Sequence, residues 1–270
     1  MRRATESVNA ATRNIDRCST LEMLQLINAE DRKCADAVNA VLPEIAKAAD
    51  AVAESMKRGG RLIYIGAGTS GRLGVMDAVE CLPTYGIAPD KIFGIIAGGT
   101  AAMCRAREQE EDKAEYGRDE MIRLEVNAND TIIGLSASGS TPFVSGALAE
   151  AKQRGAVTAA VICNNAGTNL DHADIRICLI TGPEAICGST RMKAATAQKM
   201  TLNMISTAAM VRYGRVIGNH MVEIKARNVK LRDRACFILN DICGIPEEEG
   251  RVLLEESNWD LRGVIEKYRK

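Results

Sequence analysis

Two runs of this chain end an apolar stretch in glycine and side-chain hydroxyls. RLIYIGAGTSGR (Arg61 to Arg72) opens into Gly66, Gly68, Thr69 and Ser70. TIIGLSASGSTP (Thr131 to Pro142) opens into Ser136, Ser138, Gly139, Ser140 and Thr141. Each reads as a strand leading straight into a helix. A helix start presents unpaired backbone N–H groups and the positive end of the helix dipole, so it holds anions. Hydroxyls at the same place add donors without adding charge. Two such loops on one parallel sheet imply a neutral pocket built around a phosphate. A third run, TGPEAICGSTRMKAATAQK, places Ser189 and Thr190 at a helix start, with Arg191 and Lys193 adding positive charge beside them. Either cation is able to meet a phosphate or a carboxylate.

Other phosphate chemistries fit less well. Gly66, Gly68 and Gly71 satisfy G-x-G-x-x-G. A dinucleotide fold also needs an acidic residue about 20 positions on, at the end of the second strand, to hold a ribose. That strand ends Ile95-Ile96-Ala97-Gly98-Gly99, without an acid. The G-K-[ST] of a nucleotide P-loop is absent as well.

The elements that must position these loops follow a simple order. Residues 1–18 are polar and read as an irregular arm. Ser19 or Thr20 caps a helix with Glu22 in its first turn. A second helix runs from about Asp31 to Arg58, broken or kinked at Pro43. Strands are expected at Leu62–Ile65, Ile92–Ile96, Thr131–Leu135, Val157–Ile162 and Ile175–Ile180. Continuous apolar strands alternating with helical patterns indicate a parallel sheet covered on both faces. A long helix is expected from Ser189 to about Tyr213, stopped by Gly214, and another from about Ala226 to Asn240. The tail from Ile242 reads as two short helices around Gly244–Pro246 and Glu256–Trp259.

Composition narrows the function. Lys+Arg and Asp+Glu are both 35, so net charge is zero, and aromatics are 3% of 270 residues. Neither a basic nucleic-acid footprint nor a base-stacking platform is present. Nine scattered cysteines read as reduced thiols of a cytoplasmic protein. No apolar run approaches the roughly 18 residues of a membrane span, and no signal peptide is expected at the N-terminus. His172 and His220 stand apart without a ligand partner, so neither is expected to hold a metal or to act in catalysis.

Longer stretches resemble a known family. GRLIYIGAGTSGRLGVMDAVECLPTYG, IAGG, GLSASGSTPFVSGAL and GPEAICGSTRMKAATAQKMTLNMISTAAM…GNHMVEIKARNVKLRDRA are similar to the N-acetylmuramic acid 6-phosphate etherases, a family of the sugar isomerase (SIS) fold. The similarity runs from about Thr5 to the end. It implies a doubly wound α/β fold in which a parallel sheet is flanked by helices. Three units are expected: an N-terminal arm and helices at 1–58, a SIS sugar-phosphate-binding domain at 59–235, and a small UBA-like helical module at 236–270. It also implies a cytoplasmic homodimer with sites at the subunit interface, no metal and no organic cofactor. The implied reaction releases D-lactate from the sugar ether and leaves N-acetylglucosamine 6-phosphate.

By the same resemblance, two glutamates do the acid/base work. The EC-x-PT motif falls on Glu80, and an E-x-x-E-D pattern falls on Glu111 in REQEED. Phosphate and substrate binding fall to Gly68, Thr69, Ser70, Ser136, Ser138, Ser140, Thr141, Ser189, Thr190 and Lys193. Leu82 stands where the family usually has proline, and Ser140 where it usually has arginine. Arg107 and Gln109 alter the setting of the second glutamate. These departures leave room for a related 6-phospho sugar.

An ether oxygen must receive a proton as its C–O bond breaks, and C2 must lose one, made acidic by the open-chain aldehyde at C1. A carboxyl group can do both jobs in turn. Two alternatives remain at this level: a non-catalytic sugar-phosphate sensor, and an aldose–ketose sugar-phosphate isomerase that leaves C3 intact.

Overall fold

The computed structural model describes residues 4–105, 109–226 and 228–269. Helices α1 (Thr20–Asp31), α2 (Lys33–Asn39) and α3 (Leu42–Lys57) come first. Ser19 and Glu22 form a reciprocal capping box at the start of α1. The helix expected over Asp31 to Arg58 is two helices. The break falls at Ala40–Val41, because Pro43 lacks an N–H and sits in the first turn of α3, where none is needed.

Five parallel strands form the sheet: β1 (Leu62–Gly66), β2 (Ile92–Ile96), β3 (Thr131–Ser136), β4 (Val157–Ile162) and β5 (Ile175–Cys178), in the order β2-β1-β3-β4-β5. Alternate residues of each strand feed two cores. Leu62 and Tyr64 pack with Val52, Ile133 and Ile205 on one face; Ile63 and Ile65 pack with Ile132, Val144 and Leu148 on the other. The intervening helices are α4 (Gly68–Tyr85), α5 (Ala101–Cys104), α6 (Ala114–Arg123), α7 (Pro142–Gln153) and α8 (Lys193–Arg212). This is the doubly wound α/β arrangement that the resemblance implies, and the parallel sheet covered on both faces expected from the strand pattern.

The strand order reverses between β1 and β3. Open α/β sheets bind ligands beyond the C-terminal ends of the strands at such a switch point. The two hydroxyl loops leave these two strands there.

Helix α8 starts at Lys193 rather than Ser189. The buried carboxylate of Glu184 accepts both the Lys193 and Ala194 N–H groups at 2.9 Å and sets the start of the helix from nine residues upstream. The N-terminal arm forms three short 3-10 turns and is tied down. Asn9 Nδ2 donates to Pro183 O (3.2 Å) and Thr12 Oγ1 to Ala185 O (2.7 Å).

The chain closes with a small hairpin, β6 (Val216–Ile217) and β7 (His220–Met221), and helices α9 (Val229–Cys243), α10 (Glu247–Glu256) and α11 (Leu261–Tyr268). They share a third core that includes Val222, Ile224, Leu239, Leu254 and Ile265. The expected divide at 235/236 lies inside α9, whose buried face belongs to this third core. All nine cysteines are free thiols. Among the described residues no helix is long and apolar enough to cross a membrane.

Helix α4 lies unusually close to the sheet. A Cβ on Gly94 of β2 would stand 2.6 Å from Val75 N, and one on Gly74 would stand 2.8 Å from Tyr64 Cβ. Gly94→Ala is expected to destabilise the protein by about 1–3 kcal/mol, since it must push backbone from backbone. Urea unfolding checks this.

Candidate functional site

The second loop is the more finished of the two. Ser136 ends β3 and is buried; Ser138, Ser140 and Thr141 are half-buried. Ser136 Oγ lies 2.8 Å from Thr141 Oγ1 and 3.2 Å from Ser138 Oγ, and it accepts the Gly139 N–H at 3.0 Å. Ser138 Oγ accepts the Ser140 N–H at 3.3 Å. Gly139 takes φ 76°, which suits glycine. Below the loop, buried Asn164 donates to Ala137 O (3.0 Å) and Ser138 O (3.2 Å), and Asn169 donates to Thr141 O (3.0 Å). Asn164 also accepts the Ala4 N–H, so the N-terminal arm is linked to this loop. The hydroxyls are therefore pre-oriented at the start of α7, where the positive end of the helix dipole adds to them.

The first loop turns at Gly68 (φ 52°) into α4. Ser70 Oγ donates to Gln198 Oε1 at 2.8 Å. Gln198 is fully buried on α8, and its Nε2 has no hydrogen-bond partner among the described residues. Turning the amide over would strand the oxygen instead. A buried amide group left unpaired costs about 1–3 kcal/mol. Sequence reasoning missed Gln198. Its one signal is its place on the buried face of α8, five residues after Lys193.

Glu111 joins the second loop. Its carbonyl accepts the Phe143 N–H at 3.0 Å, at the start of α7. Helices α6 and α7 meet through glycine: a Cβ on Gly146 would fall on Ala114 O. Gln109 is exposed nearby, and Arg107 lies outside the described residues. Arg72 ties the preceding segment to α4, donating to Ala102 O at 2.7 Å and Met103 O at 3.2 Å.

Glu80 is not with the loops. It is exposed near the far end of α4. Ten residues separate it from Ser70, about 15 Å along the axis and roughly a quarter turn round it. It shares a cleft of about 490 Å³ with Leu82, Lys225, Asn228 and Arg234. The outer face of α4 around it is apolar, with Met76, Val79 and Leu82 all exposed. The inner face is anchored by Asp77, which accepts hydrogen bonds from Tyr64 (2.9 Å), Asn203 (2.9 Å) and Ser206 (3.2 Å). Burial raises the Asp77 pKa despite these donors.

Ser189 and Thr190 are half-buried just ahead of α8. Lys193 corrects the expectation that it serves the phosphate. It is 1% exposed, and its ammonium pairs at 2.5 Å with Glu30 of α1, in a cleft lined by none of the loop hydroxyls. Burial works to raise the Glu30 pKa, but hydrogen bonds from Lys193, Lys33 and Asn9 outweigh it and hold it at about 2. His220 pairs with Asp241 at 2.7 Å. No group of three His, Cys, Asp or Glu side chains among the described residues is placed to hold a metal.

Comparison with known proteins follows the same lines. Residues 44–152 match the glucokinase regulatory protein N-terminal SIS domain, and residues 113–208 match the SIS domain. The N-acetylmuramic acid 6-phosphate etherase of Clostridium beijerinckii is 51% identical, over 97% of this chain and 86% of its own length. That of Cronobacter sakazakii is 48% identical, over 97% and 88%. A phosphoheptose isomerase from Francisella tularensis superposes with TM-score 0.53 at 17% identity, over 72% of this chain and 98% of its own. This last likeness speaks for the fold.

The Glu30 pair yields a stability test. A carboxylate held below its ordinary 4.5 contributes stability above that pH and loses it as pH falls towards 2. Glu30→Gln is expected to cost about 3–5 kcal/mol at pH 7, because it strands a buried ammonium. It should also flatten the acid limb of the stability curve, read by urea unfolding from pH 7 to 2.5.

Proposed function

Since this chain belongs to the N-acetylmuramic acid 6-phosphate etherase family, we propose a site for the reaction that is shared between two copies of it. The chain cleaves the D-lactyl ether of N-acetylmuramic acid 6-phosphate, giving N-acetylglucosamine 6-phosphate and D-lactate. It is a carbon–oxygen lyase.

In the proposed site, the 6-phosphate sits on the hydroxyls of Ser136, Ser138, Ser140 and Thr141, at the positive end of the α7 dipole. Gly68, Thr69, Ser70, Ser189 and Thr190 line the sugar side. Glu111 of the same copy stands beside the phosphate loop. Glu80 comes from the second copy.

One observation carries the division: the distance along α4. Phosphorus and C2 of an open-chain hexose 6-phosphate are six single bonds apart, at most about 8 Å. Ser70, which lines the sugar side, and Glu80 of one chain are about 15 Å apart along a rigid helix, further than the sugar phosphate spans, and face different sides. The exposed apolar stripe of Met76, Val79 and Leu82 beside Glu80 suits a face that another copy covers.

The chemistry proceeds from the ring-opened sugar. Glu80 removes the C2 proton and delivers a proton to the departing ether oxygen, so lactate leaves and an unsaturated aldehyde remains. Water adds back at C3, with Glu111 assisting. Water supplies the new hydroxyl and a proton, so the atoms balance. We place the reaction in the cytoplasm, in keeping with nine unpaired thiols. We also place the start of the C-terminal unit ahead of α9.

Glu80→Gln is expected to keep binding N-acetylglucosamine 6-phosphate and to lose about 10²–10⁴ in the rate of lactate release. A sensor or an isomerase would release no lactate even as wild type. Ser138→Ala is expected to weaken N-acetylglucosamine 6-phosphate binding with little change in melting temperature. Mixing Glu80→Gln and Ser138→Ala subunits, at a substrate concentration too low for the weakened Ser138→Ala site to fill, tests the sharing. Mixed dimers would hold one intact site and regain lactate release, whereas sites built within single chains would stay dead.

A further inference from the structure

The substrate carries a second anion, and the hydroxyl loops account for only one. The lactyl group bears a carboxylate attached to the carbon next to the ether oxygen. Whatever protonates that oxygen must have the carboxylate within a few ångströms of it.

The cleft around Glu80 is suited to such a group. Its other wall comes from the segment leading into α9, with Lys225, Asn228 and Arg234 facing the end of α4. Residues 225–234, KARNVKLRDR, hold five cations and one acid in a chain of zero net charge. Besides Glu80, two acids near this wall are already engaged. Glu223 pairs with Arg262 at 2.9 Å and Arg215 at 3.3 Å, and Asp233 pairs with Arg251 at 2.6 Å. Among the described residues, Lys225 and Arg234 have no acidic partner within ion-pair distance.

The wall is also held in place. Helix α4 ends at Gly86 (φ 65°), where a Cβ would lie 2.7 Å from Glu223 O. Arg262 clamps the same segment through Glu223 and Gly214 O. The distance between Glu80 and the cationic wall is thus set by backbone packing and a buttressed ion pair.

We propose that Lys225 and Arg234 bind the carboxylate of the lactyl group and so select sugars that still carry the ether acid. The proposal rests on the reading that Glu80 protonates the ether oxygen. An arginine offers a planar fork to a carboxylate, and a lysine adds a point charge that follows it. The arrangement separates the two anions of the substrate: neutral donors take the phosphate, and cations take the lactyl carboxylate beside the acid. Substrate and product then differ by a group that the cleft reads directly.

The test uses Glu80→Gln as the background, so that substrate binds without turnover. Calorimetry compares N-acetylmuramic acid 6-phosphate with N-acetylglucosamine 6-phosphate. Adding Lys225→Ala and Arg234→Ala, singly and together, is expected to weaken the first sugar about ten-fold or more. The second sugar should be unaffected. Lys225 is exposed, so its single variant keeps the question open to measurement if Arg234→Ala perturbs folding. Equal weakening of both sugars, or of neither, overturns the proposal. If Glu80→Gln still releases lactate at the wild-type rate, the Glu80 assignment falls separately. Inhibition of the wild-type enzyme by D-lactate then reads the cations: the double Ala variant should need about ten-fold more D-lactate, and unchanged inhibition refutes their role.

Discussion

A helix rises about 1.5 Å per residue and cannot fold back on itself, so α4 keeps its two functional ends apart. Ser70 stands at one end against Gln198, and Glu80 stands three turns on, on an outward face. Backbone contact through Gly74 and Gly94, and the bonds from Tyr64, Asn203 and Ser206 to Asp77, hold that rod against β1, β2 and α8. Local flexibility cannot shorten this spacing. A hexose phosphate is smaller than the gap, which is why Glu80 is proposed to come from a second copy of the chain.

Charge is distributed with the same economy. The phosphate loop uses hydroxyls and amides only. The one lysine near the third loop is taken by Glu30 and buried. Neutral donors bind an anion without needing a counter-charge when the site is empty, and they let product leave. Lys225 and Arg234, without an acidic partner among the described residues, lie at the opposite end of α4, beside the carboxyl proposed to handle protons.

Much of this was legible in the sequence. β2 and β4 fall where their apolar runs place them, because a short continuous apolar run is legible without knowing what it packs against. The hydroxyl loops were legible for the same reason: strand, glycine and helix start are adjacent in the chain. What escaped detection depends on distant residues. Lys193 resembled a phosphate ligand until Glu30, 163 residues away, claimed it. The true start of α8 is set by Glu184, and Asn164 ties the arm to the loop across 160 residues. Gln198 matters through Ser70, 128 residues earlier. The divide expected at 235/236 falls inside α9, whose buried face turns towards the tail helices, which local composition does not reveal.

The most direct measurement of the central claim is a crystal structure of the protein with N-acetylglucosamine 6-phosphate bound. The account expects the phosphate on Ser136, Ser138 and Thr141 of one copy, with the Glu80 carboxyl of a second copy within hydrogen-bond reach of the oxygen on C3. A sugar held wholly by one chain, with Glu80 of both copies turned to solvent, would contradict it.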